Sequence, residues 1–413
     1  MHDPAHSIPT NTPQDPTPGR AVLFTAFEPS GDDHAATVIR EIKRREPNLT
    51  IYAWGGPKMA RAGAEIVAET GQDAVVGLPG MGKIMQHLRM NREISAWIRE
   101  HPEVVLHVPV DSPSANFPIA KAAKKHGRKV VHLVAPQLWA WRPGRIKKLR
   151  RCTDKVLCLL PFEETYFLER DVPAKFIGHP LFDEAIDLES LSEQAEMLPQ
   201  GSPRIALLPG SRPAELRRNF PVMLNAFRIL RDRYPGLVGC VAATTEAVRS
   251  ELYDRARELG GWPEGLDVRV GETDLVIRWA ELALVVSGTV SLQVARQATP
   301  MVLMYKVNKL FFRTVKTLIG FQARYFTLPN LIADQEVIPE LIPYFKGPHR
   351  LVDAASRLLD SPERQEAQRI HQQMITGAFA GTMASHAAAQ AILETAGYAD
   401  SQHETTNPSV SKA

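Results

Sequence analysis

IALLPGSRPAELRRNFPVMLNAFRILRDRY, residues 205–234, opens with a short apolar run and closes with an amphipathic helical stretch. Between the two, Pro209-Gly210-Ser211-Arg212 forms a turn. A buried strand that feeds a helix through a tight turn is the repeating unit of a parallel α/β sheet. The turn also carries chemistry. A helix N-terminus offers unpaired N–H groups, and Ser211 and Arg212 add a hydroxyl and a guanidinium suited to the oxyanions of a diphosphate. The turn is not a Walker loop, because the GxxxxGK[ST] spacing is absent, and GxGxxG does not occur.

Outward from this unit the alternation recurs. Downstream, apolar runs at 237–242, 268–270, 283–286 and 301–304 read as strands, with helical patterns at 246–259 and 290–298. Upstream, the runs at 21–26, 104–110, 129–134 and 155–160 read the same way, with helical patterns at 35–45 and 114–126. A polar stretch at 183–203, bearing Glu189, Glu193 and Glu196, interrupts the series and reads as a linker. The expectation is two successive α/β domains, 21–182 and 204–361, followed by a helical segment at 362–397. Residues 1–20 hold five prolines and almost no large apolar side chain, so they read as a disordered tail, as do residues 398–413.

Composition narrows the class. With 44% apolar and 23% charged residues among 413, the chain is of ordinary globular type. A net charge of +3 is too balanced to imply nucleic-acid binding by bulk charge. Cys152, Cys158 and Cys240 form no CxxC, which fits a reducing compartment and no zinc cluster. No run of ~18 apolar residues reads as a membrane span, and no apolar signal core precedes Ala21. The expected location is the cytoplasm, or the inner face of a membrane that the chain does not cross.

In open α/β sheets ligands bind beyond the carboxyl ends of the strands. After the first strand come Glu28, Ser30, Gly31 and Asp32, which suit either an anion or an ordinary helix cap. After the run at 104–110 comes Asp111, placed to act as a general base or to cap the next helix. The segment APQLWAWR at 135–142 leads into Arg145, Lys147, Lys148, Arg150 and Arg151. It suits nucleic acid, a phosphorylated sugar or an anionic lipid surface, and equally a solvated helix face beside two core tryptophans. Ser287-Gly288-Thr289 is a second anion-competent turn, before a helix bearing Gln293, and two such turns in one domain suggest a nucleotide diphosphate. There is no DxD, no HExxH and no clustering of the thirteen histidines, so no metal site is indicated, and His179 reads as a turn histidine.

Taken together these segments resemble a known family. Glu28-Pro29-Ser30-Gly31-Asp32, Gly55-Gly56-Pro57-Lys58-Met59, PQLWAWR at 136–142, Leu160-Pro161-Phe162-Glu163 and Gly178-His179-Pro180 occur in the order seen in lipid-A-disaccharide synthases. They are followed by Leu208-Pro209-Gly210-Ser211-Arg212 with Glu215, Ser287-Gly288-Thr289, and Leu328-Pro329-Asn330-Leu331. The resemblance implies a GT-B glycosyltransferase: two Rossmann-like domains facing a cleft, with a C-terminal helix packing back. It implies transfer of diacylglucosamine from its UDP derivative to the 6-hydroxyl of 2,3-diacylglucosamine 1-phosphate, with inversion and with neither metal nor cofactor. By the same resemblance Asp111 is the base, and Ser211, Arg212, Ser287, Gly288, Thr289, Gln293 and Asn330 line the UDP site. The loop of Glu28, Ser30, Gly31 and Asp32 faces the acceptor side.

Four positions depart from the family pattern. Phe27 stands where glycine is usual, Ser114 where a second carboxylate is usual, Gln293 where glutamate is usual, and Pro343 near a usual glutamine. Ser114 and Gln293 keep open a non-catalytic UDP-sugar- or lipid-binding relative, against which Asp111 and Arg212 count. An epimerase acting on UDP-N-acetylglucosamine is the other alternative, against which PQLWAWR counts. Lipid substrates also require membrane contact. Met81, Ile84, Leu88 and Arg89 in one segment, and Phe311, Phe312, Arg313 and Lys316 in another, suit either a basic amphipathic surface on an anionic membrane or core-facing helices.

Overall fold

The computed structural model describes residues 19–70, 81–309, 312–313 and 321–398. The chain forms two compact units. One comprises residues up to Pro136, Lys148–Leu157 and residues from Ala388 onward; the other comprises Gln137–Lys147 and Cys158–Ala387.

Thirteen strands are present among the described residues. The first sheet contains β1 (Ala21–Ala26), β2 (Thr50–Gly55), β3 (Glu65–Glu69), β4 (Val104–Val110), β5 (Lys129–Leu133), β6 (Lys155–Cys158) and β7 (Ala174–Phe176), in the order β3-β2-β1-β4-β5-β6-β7. The second contains β8 (Arg204–Leu208), β9 (Val238–Ala243), β10 (Leu266–Val270), β11 (Leu282–Val286), β12 (Met301–Lys306) and β13 (Glu340–Tyr344), in the order β10-β9-β8-β11-β12-β13. The described pairings are parallel. All six residues of β1 are buried, as a strand covered on both faces requires.

The helices are α1 (Pro29–Arg45), α2 (Pro57–Arg61), α3 (Met81–Glu100), α4 (Pro113–Lys125), α5 (Ile146–Cys152), α6 (Pro161–Leu168), α7 (Leu188–Ala195) and α8 (Pro213–Arg233). They continue with α9 (Glu246–Glu258), α10 (Thr273–Trp279), α11 (Val290–Arg296), α12 (Leu328–Ala333), α13 (His349–Leu359), α14 (Pro362–Gly377) and α15 (Ala384–Ala396). Proline opens six of these helices, where its missing N–H costs nothing.

Alternate residues of β8 serve opposite faces of the second sheet. Ile205 and Leu207 pack with Phe220 and Phe227 of α8. Ala206 and Leu208 pack with Trp279 of α10 and Val294 of α11. The stretch 183–203 is more than a linker. It holds α7, whose N-terminus is capped by the Asp187 carboxylate accepting from the Ser190 N–H at 3.0 Å. Ala195 and Leu198 enter the same core as Trp279, and the Trp279 indole donates to the Pro199 carbonyl at 3.1 Å. The polar glutamates hide this, because one turn of apolar residues is enough to anchor so short a helix.

The helical segment at the C-terminal end is two helices, separated by a turn with Gly381 at φ +74°. Part of α15, from Ala388 on, belongs to the first unit, where the Arg20 guanidinium donates to the carbonyls of Ala396 and Gly397. The helix therefore packs back as expected.

Candidate functional site

Each strand order contains a reversal, between β1 and β4 and between β8 and β11, where adjacent loops diverge and open a crevice. Glu28 and Asp111 follow β1 and β4, and Ser211, Arg212, Ser287, Gly288 and Thr289 follow β8 and β11, at these two places.

In the second unit the turn after β8 calls for glycine by its backbone conformation. Gly210 has φ +105°, and a Cβ there would lie 2.7 Å from the Glu215 Oε2. Ser211 and Arg212 follow at the mouth of α8, both exposed. The Arg212 guanidinium lies 3.2 Å from the Glu215 carboxylate, and its side chain remains 61% exposed. The turn after β11 presents Ser287, Gly288 and Thr289. These residues, with Gln293, Thr244 and Thr273, line one cavity of about 330 Å³, within the range of small-ligand sites. One arginine, several hydroxyls and the starts of α8 and α11 converge on it, an arrangement that stabilises oxyanions. Thr244 and Thr273 escaped the sequence reading. Their signal was their place just beyond the carboxyl ends of two neighbouring strands.

Asn330 is a correction. It is fully buried and does not line the cavity. Its Oδ1 accepts from the N–H groups of Val337 and Ile338, both at 3.0 Å. Its Nδ2 donates to the Ile338 carbonyl at 2.8 Å and the Glu340 carboxylate at 3.1 Å. All of its hydrogen-bonding capacity is used in bracketing α12 to β13.

In the first unit, Asp111 stands at the tip of β4. Asp111 and Ser112 have φ +47° and +38°, two successive non-glycine residues in the left-handed region, each at a cost of ~1–3 kcal/mol. The Ser112 hydroxyl donates to the Glu28 carboxylate at 2.8 Å, so the loops after β1 and β4 meet. Burial raises the Asp111 carboxyl above the ordinary carboxylate range; the Ser112 N–H opposes this and the nearby Glu28 charge adds to it. A carboxyl group tuned in this direction at a crevice suits proton abstraction.

Ser30, Gly31 and Asp32 are not a loop but the first turn of α1, because Pro29 starts the helix earlier than the apolar pattern indicates. The Asp32 carboxylate is buried and accepts from the N–H groups of Gly56, Lys58 and Met59 at 3.0–3.1 Å. It caps α2 and is committed there. Of this group Glu28 is the exposed one.

The two tryptophans of PQLWAWR bracket the fold. The Trp139 indole donates at 3.0 Å to Glu163, whose carboxylate also accepts from the N–H groups of Leu159 and Leu160. Burial outweighs these donors and pushes Glu163 up to about 7. Trp141 packs on Phe321 with ring centroids 4.5 Å apart. His179 accepts from the Leu181 N–H at 3.1 Å, the turn role its position suggests.

Of the membrane candidates, Met81 and Ile84 belong to α3, and Leu88 on the same helix is 46% exposed beside Met85 at 64%. Arg89 pairs with Glu93 at 3.0 Å. Phe312 is half-buried, with Phe326 and Phe345 at 6.4 and 6.1 Å, so it serves packing as well as surface; Arg313 is exposed. Phe311 and Lys316 lie outside the described residues. No described helix is long and apolar enough to cross a membrane.

Known proteins similar to this chain identify its family. A family model described as lipid-A-disaccharide synthetase matches residues 22–394. The lipid-A-disaccharide synthase of Geobacter metallireducens is 34% identical over 360 residues, covering 85% of this chain and 91% of that protein. That of Anaeromyxobacter dehalogenans is 35% identical over 356 residues, covering 84% and 90%. Among solved structures, the kitacinnamycin glycosyltransferase superposes with TM-score 0.59 at 15% identity, covering 92% of this chain and all of the other. Acinetobacter baumannii MurG superposes with TM-score 0.54 at 13% identity, covering 91% and 99%. A putative UDP-N-acetylglucosamine 2-epimerase from Listeria monocytogenes does so with TM-score 0.58 at 12% identity, covering 91% and 95%. These last three likenesses speak for the fold alone. By its own sequence the chain belongs to the lipid-A-disaccharide synthase family of GT-B glycosyltransferases.

Proposed function

We propose that the protein condenses UDP-2,3-diacylglucosamine with 2,3-diacylglucosamine 1-phosphate, giving lipid A disaccharide 1-phosphate and UDP, with inversion and without a metal ion. The observation that carries this reading is the cavity shared by the turns after β8 and β11, where Ser211, Arg212, Ser287, Gly288, Thr289 and Gln293 meet. The diphosphate is held there by N–H groups, hydroxyls and the Arg212 guanidinium. As the C1–O bond to UDP breaks, its electron pair goes to the β-phosphate oxygen, where these donors stabilise the growing charge. Asp111 takes the proton of the acceptor 6-hydroxyl as that oxygen forms the new bond to C1. One displacement inverts the anomeric centre. Because the substrates carry acyl chains, the enzyme works as a peripheral protein on the inner face of the cytoplasmic membrane.

The test is incubation with both lipids, in EDTA, with mass spectrometry for disaccharide and UDP. Product is expected, and Asp111→Asn is expected to lower turnover by ~10²–10⁴-fold while UDP still binds. Near-parent turnover in that variant would make Asp111 structural. UDP binding without any disaccharide would favour the binding-only relative, and loss of turnover in EDTA restored by magnesium would refute metal independence.

A further inference from the structure

Two successive left-handed residues at the tip of β4 need something to hold them, and a buried chain of polar side chains lies against them. Asn116 of α4 is fully buried. Its Nδ2 donates to the carbonyls of Val110 at 3.0 Å and Asp111 at 2.8 Å. Its Oδ1 accepts from the Thr25 hydroxyl at 2.7 Å, which fixes which way the carboxamide points. Thr25 has one hydroxyl proton, and Asn116 takes it. The second contact of that hydroxyl, 2.9 Å to the His107 Nε2, must therefore be His107 donating and Thr25 accepting. His107 is then the tautomer protonated at Nε2, and its Nδ1 is buried with no partner among the described residues. Both Thr25 and His107 are wholly buried, in strands that are otherwise almost entirely apolar.

Asn116 is not serving the helix that carries it. Its side chain satisfies none of the free N–H groups at the start of α4 and instead holds the two carbonyls that flank the Cα of Asp111. We infer that Asn116, oriented by Thr25 and His107, is a positioning residue that holds Asp111 in its left-handed conformation and so aims the carboxyl group. The inference rests on the proposed role of Asp111 as base. The network reaches that carboxyl only through the backbone, so its loss displaces the base without touching either substrate. Displacements of about 1 Å at a reacting group can cost ~10²-fold in rate.

The experiment uses the full chain with the lipid donor and acceptor. Thr25→Val removes the hydroxyl at nearly constant shape, Thr25→Ala does so without a larger side chain, and Thr25→Ser retains it. Readouts are thermal melting, donor KM, kcat, and the acid limb of kcat against pH. That limb reports Asp111 in the field of Glu28, the charged side chain facing it from the loop after β1, with neutral His107 below. The valine or alanine variant with a parent-like melt is expected to keep donor KM within about twofold while kcat falls by roughly 10–100-fold. Its acid limb should move, and Thr25→Ser should restore both. The inference is overturned if kcat and the acid limb stay as in the parent, or if the loss lies in KM alone. It is equally overturned if valine and alanine both fail to fold while serine is native, because the network then serves folding. Asp111→Asn separates the two levels. If it is inactive while Thr25→Val turns over normally, only the positioning role fails; if Asp111→Asn turns over like the parent, the base assignment fails.

Discussion

Arg212 and Asn330 carry the same expectation in the sequence, contact with UDP, and their surroundings separate them. Arg212 projects from the start of α8 at the edge of the cavity, with Glu215 as its ion-pair partner. A charged hydrogen bond contributes ~1.5–3 kcal/mol, so Arg212→Ala is expected to weaken UDP binding by roughly 10–150-fold in calorimetry. Arg212→Lys should recover only part of this, because an ammonium lacks the planar fork. Unchanged UDP affinity in the alanine variant would reduce the turn to a structural element. Asn330 is wholly enclosed and is not among the residues that line the cavity. Asn330→Ala would strip acceptors from two N–H groups and a donor from the Glu340 carboxylate. Each buried group left unpaired costs ~1–3 kcal/mol, so urea unfolding should show a loss of at least that size while UDP affinity changes little. A native-like midpoint with lost UDP binding would return Asn330 to the binding site. Residue identity and motif order announce importance; only burial and partners tell a ligand contact from a bracket.

Among the elements, the central strands were readable because strands covered on both faces are continuous apolar runs, as in β1 and β11. β3 was not, since its five residues include two glutamates and none is buried, the pattern of a sheet edge. β13 is also an edge strand and contains Pro343, whose missing N–H such a position tolerates. The early start of α1 was hidden because Ser30, Gly31 and Asp32 read as turn formers, while Pro29 opens the helix and the Asp32 carboxylate is taken up by the N–H groups of Gly56, Lys58 and Met59. The element built on PQLWAWR carries a prediction of its own. Glu163 at the start of α6 holds a proton up to about pH 7 in the fold, against an ordinary value near ~4.3 unfolded. Because the folded state binds this proton more tightly, its contribution to stability is complete below the unfolded value and is lost as pH rises to about 7. Comparing urea unfolding of the parent and Glu163→Gln at pH 4 and pH 8, the parent's advantage should shrink with rising pH by on the order of 3 kcal/mol. An advantage that is constant or grows with pH would mean that the three N–H donors keep the carboxylate ionised.

At the scale of the whole molecule, the two sheets repeat one architecture, and their reversals put the proposed site residues Asp111, Ser211, Arg212 and Ser287 beyond strand ends that sequence patterning could locate without knowing the order of the strands. What patterning left open is how a chain with no described membrane-crossing helix would meet the acylated substrates proposed for it. An interfacial surface needs exposed apolar side chains beside basic ones. Met85 and Leu88 on α3 meet the first need, being 64% and 46% exposed one helical turn apart, and Arg89 beside them meets the second. Phe312 is the weaker candidate because it is already packed near Phe326 and Phe345. Each basic residue near an anionic surface contributes ~1 kcal/mol, screened by salt. Co-sedimentation with phosphatidylglycerol vesicles is therefore expected, weakening as salt is raised and absent with purely zwitterionic lipid. Met85→Ser with Leu88→Ser should lower both vesicle binding and turnover on acylated substrate in vesicles while leaving UDP affinity intact, since neither residue lines the cavity proposed to hold UDP. Parent-like sedimentation and turnover in that double variant would clear α3 of the role and move the membrane contact to another face.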